Sequence, residues 1–219
     1  MFGFNWLSIL INVPITLIAL TGHEFAHGWV STKLGDPTPK MQGRLTFNPL
    51  AHLDIVGTLL MIFTGFGWAK PVSVNPRYYK DTKKGMALTA AAGPLANLIM
   101  AFIALLIYAI LFAVNRKFGL GIDGAVEAVG FIARIFAVRN LCFMVFNIIP
   151  IPPLDGAKVL GMLLPDGAYY KMLQYERYSM ILIMVLSLTG VFSSIIGTGV
   201  NIVMNGILNL LNLAVNLIV

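Results

Sequence analysis

Two histidines and a glutamate near the start of the chain have the types and spacing of a metal site. His23, Glu24 and His27 form the pattern His-Glu-Phe-Ala-His. On a helix, a spacing of four places both imidazoles on one face, where they can bind one zinc ion beside Glu24, a candidate general base. The alternative is an interhelical hydrogen-bond cluster. The apolar surroundings favour the metal site, because ionisable groups there are costly unless paired or metal-bound.

A catalytic zinc with two histidine ligands needs a third protein ligand and an open position for water. Asp155 is our candidate, because it directly follows an apolar stretch and a segment stiffened by the prolines of residues 150–153. Gly156 would allow a close approach of the backbone there. Asp155 has a second interpretation as the N-cap of a helix over 156–164, and both roles can hold together.

The composition indicates a membrane protein. Of 219 residues, 58% are hydrophobic and 11% are charged, and the mean hydropathy is +0.84. This excludes an ordinary water-soluble protein, and the length leaves no room for an appended soluble domain beside several spans. The single Cys142 excludes an internal disulfide. The net charge is +6, and the cationic residues lie between apolar segments. This arrangement is typical of cytoplasmic loops and favours them over nucleic-acid binding.

The apolar pattern predicts the spanning elements. Four stretches are long enough to cross a bilayer, and the last is long enough for two spans: 4–34, 86–114, 128–149 and 179–219. We expect the turn within the last stretch at 193–199.

The stretch 50–66 is short for a span, and His52 and Asp54 interrupt it. Cationic segments on both sides favour a re-entrant or interfacial element over a complete crossing. These two residues are also a rival source of a metal ligand, although no motif supports them.

The distribution of positive charge predicts the orientation. The loop 67–85 carries five cations and one acidic residue, so it should be cytoplasmic. On this topology His23, Gly93, Asn97 and Asp155 all lie toward the cytoplasmic ends of three helices.

Three motifs together carry a resemblance to a known family. The H-E-x-x-H of 23–27, the Gly-Pro-Leu-Ala-Asn of 93–97 and the Asn-Ile-Ile-Pro-Ile-Pro-Pro-Leu-Asp-Gly of 147–156 occur in this order. The chain thereby resembles the site-2 protease family of intramembrane zinc metalloproteases, in particular its small prokaryotic members without a PDZ or CBS domain.

The resemblance implies one zinc ion per chain, bound by His23, His27 and Asp155, with Glu24 as the catalytic glutamate of a zinc metalloendopeptidase. It also implies that Asn97 contacts the substrate backbone or supports the reaction centre, with Gly93 and Asn147 in the same group. The alternative for Asn97 is a hydrogen bond between helices.

The resemblance also implies the fold and the activity. We expect an all-α polytopic membrane protein with a three-helix catalytic core, a re-entrant or β-containing segment and a C-terminal helical hairpin, with about five to six membrane helices in all. Residues 1–219 form one membrane-embedded domain, with its core at 4–164 and its hairpin at 179–219. The expected reaction is cleavage of transmembrane segments of single-span membrane proteins, in regulated intramembrane proteolysis at a prokaryotic cell membrane, with the active site toward the cytoplasm. Strand edges within 43–74 would hold the unwound substrate.

A membrane metal-ion transporter or sensor with the same His/His/Asp site is the alternative. A transporter needs ligands but no general base, and it usually shows a second metal site or a repeated half. The sequence shows neither of these features. A catalytically idle scaffold would not need Glu24.

Five asparagines recur at helical spacing near the end of the chain: Asn201, Asn205, Asn209, Asn212 and Asn216. They form one polar stripe, which must face protein or water in a bilayer. The alternatives are packing against a neighbouring helix or a second copy in a homo-oligomer, and a water path or substrate gate.

Overall fold

Helices make up most of the described part of the chain. The computed structural model describes residues 6–54, 56–57 and 70–218. Its helices, in chain order, are α1 (Trp6–Lys33), α2 (Thr38–Met41), α3 (Thr82–Phe118), α4 (Asp123–Ile148), α5 (Asp155–Gly161), α6 (Asp166–Gln174), α7 (Glu176–Leu188) and α8 (Val191–Ile218). Short 3-10 turns lie at Pro49–His52 and Pro76–Tyr78. None of the described residues forms a β-strand, and residues 55 and 58–66 of the expected re-entrant segment 50–66 lie outside them.

Within the described residues, three helices are long and apolar enough to cross a membrane: α3, α4 and the Val191–Asn216 part of α8. Helix α1 is also long, at 28 residues. Helix α7 has 13 residues, which is below the roughly 20 that a span needs. The structure thus supports a helical membrane protein, and the expected total of membrane helices stays a prediction.

The turn near the end of the chain differs from the sequence expectation. Residues 193–199 lie inside α8, so the turn predicted there was wrong. The chain instead turns at Thr189 and Gly190, where Gly190 has φ +78°. Glycine adopts this left-handed backbone without steric cost, which is why a glycine at this position can end the helix.

Helices α3 and α4 form the centre of the bundle, and α1 and α8 both pack against this pair. Small side chains line the contact, with Ala101 on α3 and Ala137 on α4 fully buried. Leu141 of α4 and Ile207 and Leu211 of α8 fill the same cluster. Small residues let helix backbones approach closely, which is how helices associate in a bilayer.

Helix α3 has sequence-encoded ends that fix where it lies relative to the site. The Asp81 side chain accepts a hydrogen bond from the Lys84 backbone N–H at 3.0 Å, which caps the first turn. At the other end Gly119, with φ +59°, donates its N–H to the Asn115 carbonyl. The helix runs through Pro94 without interruption.

A buried carboxylate connects the end of α1 to the cationic segment before α3. Asp36 is fully buried and accepts hydrogen bonds from the Ser31 hydroxyl at 2.8 Å, the Thr38 N–H at 2.9 Å and the Asn75 N–H at 2.7 Å. Burial opposes ionisation of Asp36, but these donors outweigh it and hold its pKa below the usual range. The segment around residue 75 is thereby fixed beside α1.

Candidate metal centre

The H-E-x-x-H histidines and the aspartate after the proline run meet at one point. His23 and His27 lie one turn apart on α1, and their Nε2 atoms are 2.9 Å from each other. The Asp155 Oδ2 lies 3.2 Å from each of these nitrogens. Among the residues that the structure describes, these three form the only group of His, Cys, Asp or Glu side chains close enough to hold a metal ion.

Hydrogen bonds on the outer nitrogens fix which atoms face the centre. The His23 Nδ1 lies 2.7 Å from Asn97 Oδ1, and the His27 Nδ1 lies 2.7 Å from the Thr89 carbonyl oxygen. Both partners are acceptors, so each Nδ1 carries the proton and donates it. In the neutral imidazole, each Nε2 then presents a lone pair toward Asp155.

This donor set fits a zinc ion. Two imidazole Nε2 atoms and a carboxylate oxygen face one another at about 3 Å, so with neutral imidazoles their lone pairs repel one another. A cation between them removes that repulsion, and nitrogen and oxygen ligands of this kind suit zinc. Outer hydrogen bonds of each histidine to an acceptor are also usual at zinc sites.

Gly93 makes room for the two imidazoles. A Cβ atom at this position of α3 would lie 2.5 Å from His23 Cε1 and 2.5 Å from His27 Nε2, which is closer than such contacts can be. From the sequence, Gly93 was predicted to help bind the substrate or to support the transition state. Its position beside the histidines indicates another role: the two rings leave no room for a side chain here.

Asp155 is the first residue of α5, and Leu154 occupies the N-cap position without a side-chain cap. The N-cap interpretation of Asp155 was therefore wrong, because Asp155 already lies within the helix. Its carboxylate contacts the histidines. The Lys158 Nζ lies 3.6 Å from the other carboxylate oxygen, Oδ1. A Cβ at Gly156 would collide with the Ile148 carbonyl oxygen, so glycine is what lets the chain fold back toward the end of α4.

Glu24 lies beside the histidines on α1 and is largely shielded from solvent, with 9% of its surface exposed. Its Oε2 accepts a hydrogen bond from the Val72 backbone N–H at 2.8 Å. Since Val72 belongs to the cationic segment before α3, that segment lies directly over the glutamate.

Asn97 is fully buried and holds His23 from α3. Its Nδ2 donates to the Ala19 carbonyl at 3.1 Å and to the Asn140 Oδ1 at 2.9 Å. The Ala19 carbonyl can only accept, so it fixes the amide with Oδ1 toward His23. Asn97 thus connects α1, α3 and α4 at the metal centre, which is the interhelical role that the sequence left open.

Asn140 on α4 was missed from the sequence and is fully buried. The sequence did offer a sign of its importance, because an asparagine within an apolar stretch needs a hydrogen-bond partner in a membrane.

Asn147, by contrast, was predicted as a site residue, but its Nδ2 donates to the Phe143 carbonyl of its own helix at 3.0 Å. The structure shows no contact between Asn147 and the three ligand atoms.

A second polar chain leads away from His27 and was also missed. The Thr89 hydroxyl lies 3.1 Å from the Tyr79 hydroxyl, which lies 2.8 Å from the Ser31 hydroxyl. Ser31 donates to Asp36. Because the Thr89 carbonyl accepts from His27, these side chains connect the buried carboxylate at the end of α1 to the metal centre.

The rival ligand source does not join the centre. His52 is buried, and its Nε2 lies 3.0 Å from the Thr46 carbonyl oxygen. Asp54 accepts the Gly57 N–H at 2.8 Å. Within the described residues neither side chain belongs to the metal-binding group.

Comparison with known proteins defines the class to which this site belongs. The sequence profile of peptidase family M50 matches residues 13–193. The chain therefore belongs to peptidase family M50, the site-2 protease family, and the resemblance seen in the three motifs is confirmed.

The chain is similar to several proteins of bacteria and an archaeon. It is 39% identical to "Putative zinc metalloprotease YwhC" of Bacillus subtilis over 93% of this chain and 92% of that protein. It is 32% identical to the similarly named MJ0611 of Methanocaldococcus jannaschii, over 73% and 75% of the two chains. It is 27% identical to Rip2 of Mycolicibacterium smegmatis, over 79% and 64%. No solved structure matches the chain.

Proposed function

We propose that this protein is an intramembrane zinc endopeptidase that cleaves transmembrane segments of single-span membrane proteins. In this proposal His23, His27 and Asp155 bind one zinc ion, and Glu24 is the general base. The observation that carries the proposal is the convergence of two imidazole nitrogens and a carboxylate oxygen within 4.8 Å, directly beside a shielded glutamate. Membership of family M50 and the names of the relatives support the same activity.

The chemistry divides between the metal and the protein. Zinc, when bound, polarises the scissile carbonyl and a water molecule. Glu24 takes the proton from the attacking water and returns it to the leaving nitrogen. The Val72 N–H holds Oε2 of Glu24, which leaves Oε1 to take the proton. Asn97 and Thr89 keep the histidine rings oriented, so that their Nε2 atoms face the centre.

The proposed substrates follow from the surroundings of the centre. A transmembrane helix hides its carbonyls in internal hydrogen bonds, so the substrate must unwind locally before its carbonyl can react. His23 and Asp155 are only 4% and 6% exposed, so the overlying segment around Val72 must shift to admit the substrate and water. Five cations in 67–85 favour a cytoplasmic location for this segment and hence for the centre.

The test compares wild type with Glu24→Gln in liposomes and scores zinc content together with cleavage of a panel of single-span proteins. We expect the variant to keep one zinc ion per chain and to lose at least about 100-fold in cleavage, since general acid–base catalysis contributes that much or more. Glu127→Gln, at an exposed position near the start of α4, is the matched control and should cleave like wild type. Retained cleavage in Glu24→Gln, or zinc flux across the bilayer without any cleavage in wild type, would contradict the proposal.

A further inference from the structure

The asparagine stripe of α8 lies on the outside of the bundle. The stripe consists of Asn201, Asn205, Asn209, Asn212 and Asn216, and all five residues are exposed. The opposite face of α8 packs against α3 and α4 through Val200, Ile207 and Leu211. The described helices of this chain therefore cannot cover the stripe.

The amides of the stripe have no hydrogen-bond partner in the described part of the chain. They recur over 15 residues, which is about 23 Å along a helix, and so they extend through much of a hydrocarbon core of about 30 Å. Lipid tails cannot donate or accept hydrogen bonds, so exposure of these groups to lipid is costly. A partner must run alongside α8 for most of its length.

The chemistry of the stripe selects the kind of partner. Helix α8 contains no charged residue, so the partner is not recognised by opposite charge. Each asparagine side chain has both donors and acceptors, and a stripe of asparagines is therefore complementary to an identical stripe. Two copies in one bilayer share the same orientation, so a twofold axis along the membrane normal puts each asparagine at the same depth as its counterpart.

We infer that α8 is the interface of a parallel homodimer, in which the asparagine stripes of two copies hydrogen-bond to each other. An unrelated helix would need amide side chains at five matching depths, whereas a second copy supplies them automatically. The inference goes beyond the proposed protease function and does not depend on it, because the stripe and the metal centre involve different residues.

The first test uses cysteine crosslinking in membranes, in a Cys142→Ser background that removes the single native thiol. Asn209→Cys lies in the stripe, and Leu210→Cys is the matched control at the same depth, since Leu210 is 58% exposed on another side of α8. We expect an oxidant to link Asn209→Cys chains into dimers and to leave Leu210→Cys chains unlinked. Equal crosslinking of both, none at Asn209→Cys, or capture of a different protein by Asn209→Cys would overturn the inference.

The second test measures association in liposomes across a range of protein-to-lipid ratios. The triple variant Asn205→Leu, Asn209→Leu, Asn212→Leu makes α8 more apolar, so the helix stays in the bilayer. Each interhelical hydrogen bond changes the association constant by a little under threefold on average. We therefore expect the triple variant to weaken dimerisation by about 20-fold. Leu210→Ala is the control and should associate like wild type. An unchanged or tighter dimer in the triple variant would overturn the inference.

Discussion

At the scale of single residues, the metal centre depends on groups that no short motif contains. His23, Glu24 and His27 could be predicted from their types and spacing, because a helix places them on one face. Asp155 could be predicted from its motif and its depth. Asn140 and Thr89 could not, since their contacts with Asn97 and His27 depend on where α3 and α4 pack.

Asn140 is expected to tune zinc affinity through Asn97. Asn140→Leu removes the acceptor 2.9 Å from the Asn97 Nδ2, so the amide that holds His23 loses one of its two anchors. Changes behind a metal ligand typically cost 10- to 100-fold in affinity, and we expect about 10-fold here. Competition with a zinc chelator measures the effect. Asn147→Leu, which loses only a bond to its own helix, should bind zinc like wild type, and an equal affinity for Asn140→Leu would refute the role of Asn140.

Gly93 is expected to tolerate no side chain. In Gly93→Ala the new Cβ would lie 2.5 Å from each histidine ring, so at least one imidazole must move away from Asp155. Alanine favours a helix over glycine by about 1 kcal/mol, so α3 itself should stay helical by circular dichroism. We expect zinc per chain, measured by elemental analysis, to fall well below that of Gly124→Ala, a control whose Cβ would meet open space. Full zinc content in Gly93→Ala would show that the contact does not matter.

At the scale of secondary-structure elements, the apolar pattern predicted the long helices but not all of their ends. The expected stretch 86–114 lies within α3 (Thr82–Phe118), and the expected stretch 128–149 lies within α4 (Asp123–Ile148) except for its last residue. The predicted turn at 193–199 was wrong because Ser, Thr and Gly suit both turns and membrane helices. Hydroxyl groups can bond to the carbonyl four residues earlier in a helix, as Ser187 does with Ile183.

The connection between α1 and the cationic segment is expected to weaken in acid. Because the folded-state pKa of Asp36 lies below its unfolded value of about 3.9, its stabilisation is complete above that pH and is lost as the pH falls through the folded-state pKa. Its three donors are not titratable side chains.

The measurement is the thermal unfolding midpoint of wild type and Asp36→Asn in detergent between pH 7 and pH 3. We expect Asp36→Asn to be less stable at pH 7 by about 2 kcal/mol, as for the loss of a charged hydrogen-bond acceptor, and to approach wild type in acid. Asp166→Asn is the control, because Asp166 is 77% exposed in its pair with Lys83 and should change little. A constant difference between wild type and Asp36→Asn at all pH values would show that ionisation of Asp36 is not involved.

At the scale of the whole molecule, the helical bundle has two polar regions, one buried inside it and one exposed on its surface. The metal centre and its asparagines lie inside, between α1, α3, α4 and α5, and every described donor there has an acceptor. The α8 stripe lies outside and has none within the described chain. The family could be predicted from three motifs together, whereas the separation of these two regions needed the packing of the helices.

The order of synthesis along the chain determines when the metal centre can assemble. The ribosome completes α1 first, and about 130 residues separate His27 from Asp155, which takes several seconds of translation at typical rates. During that interval the two histidines of α1 lack Asp155, and Asn140 is also still to come. The centre can therefore close only after α4 has been inserted and the proline-rich segment behind it has emerged. The centre therefore depends on almost the whole of the helical core being made before its last side chain arrives.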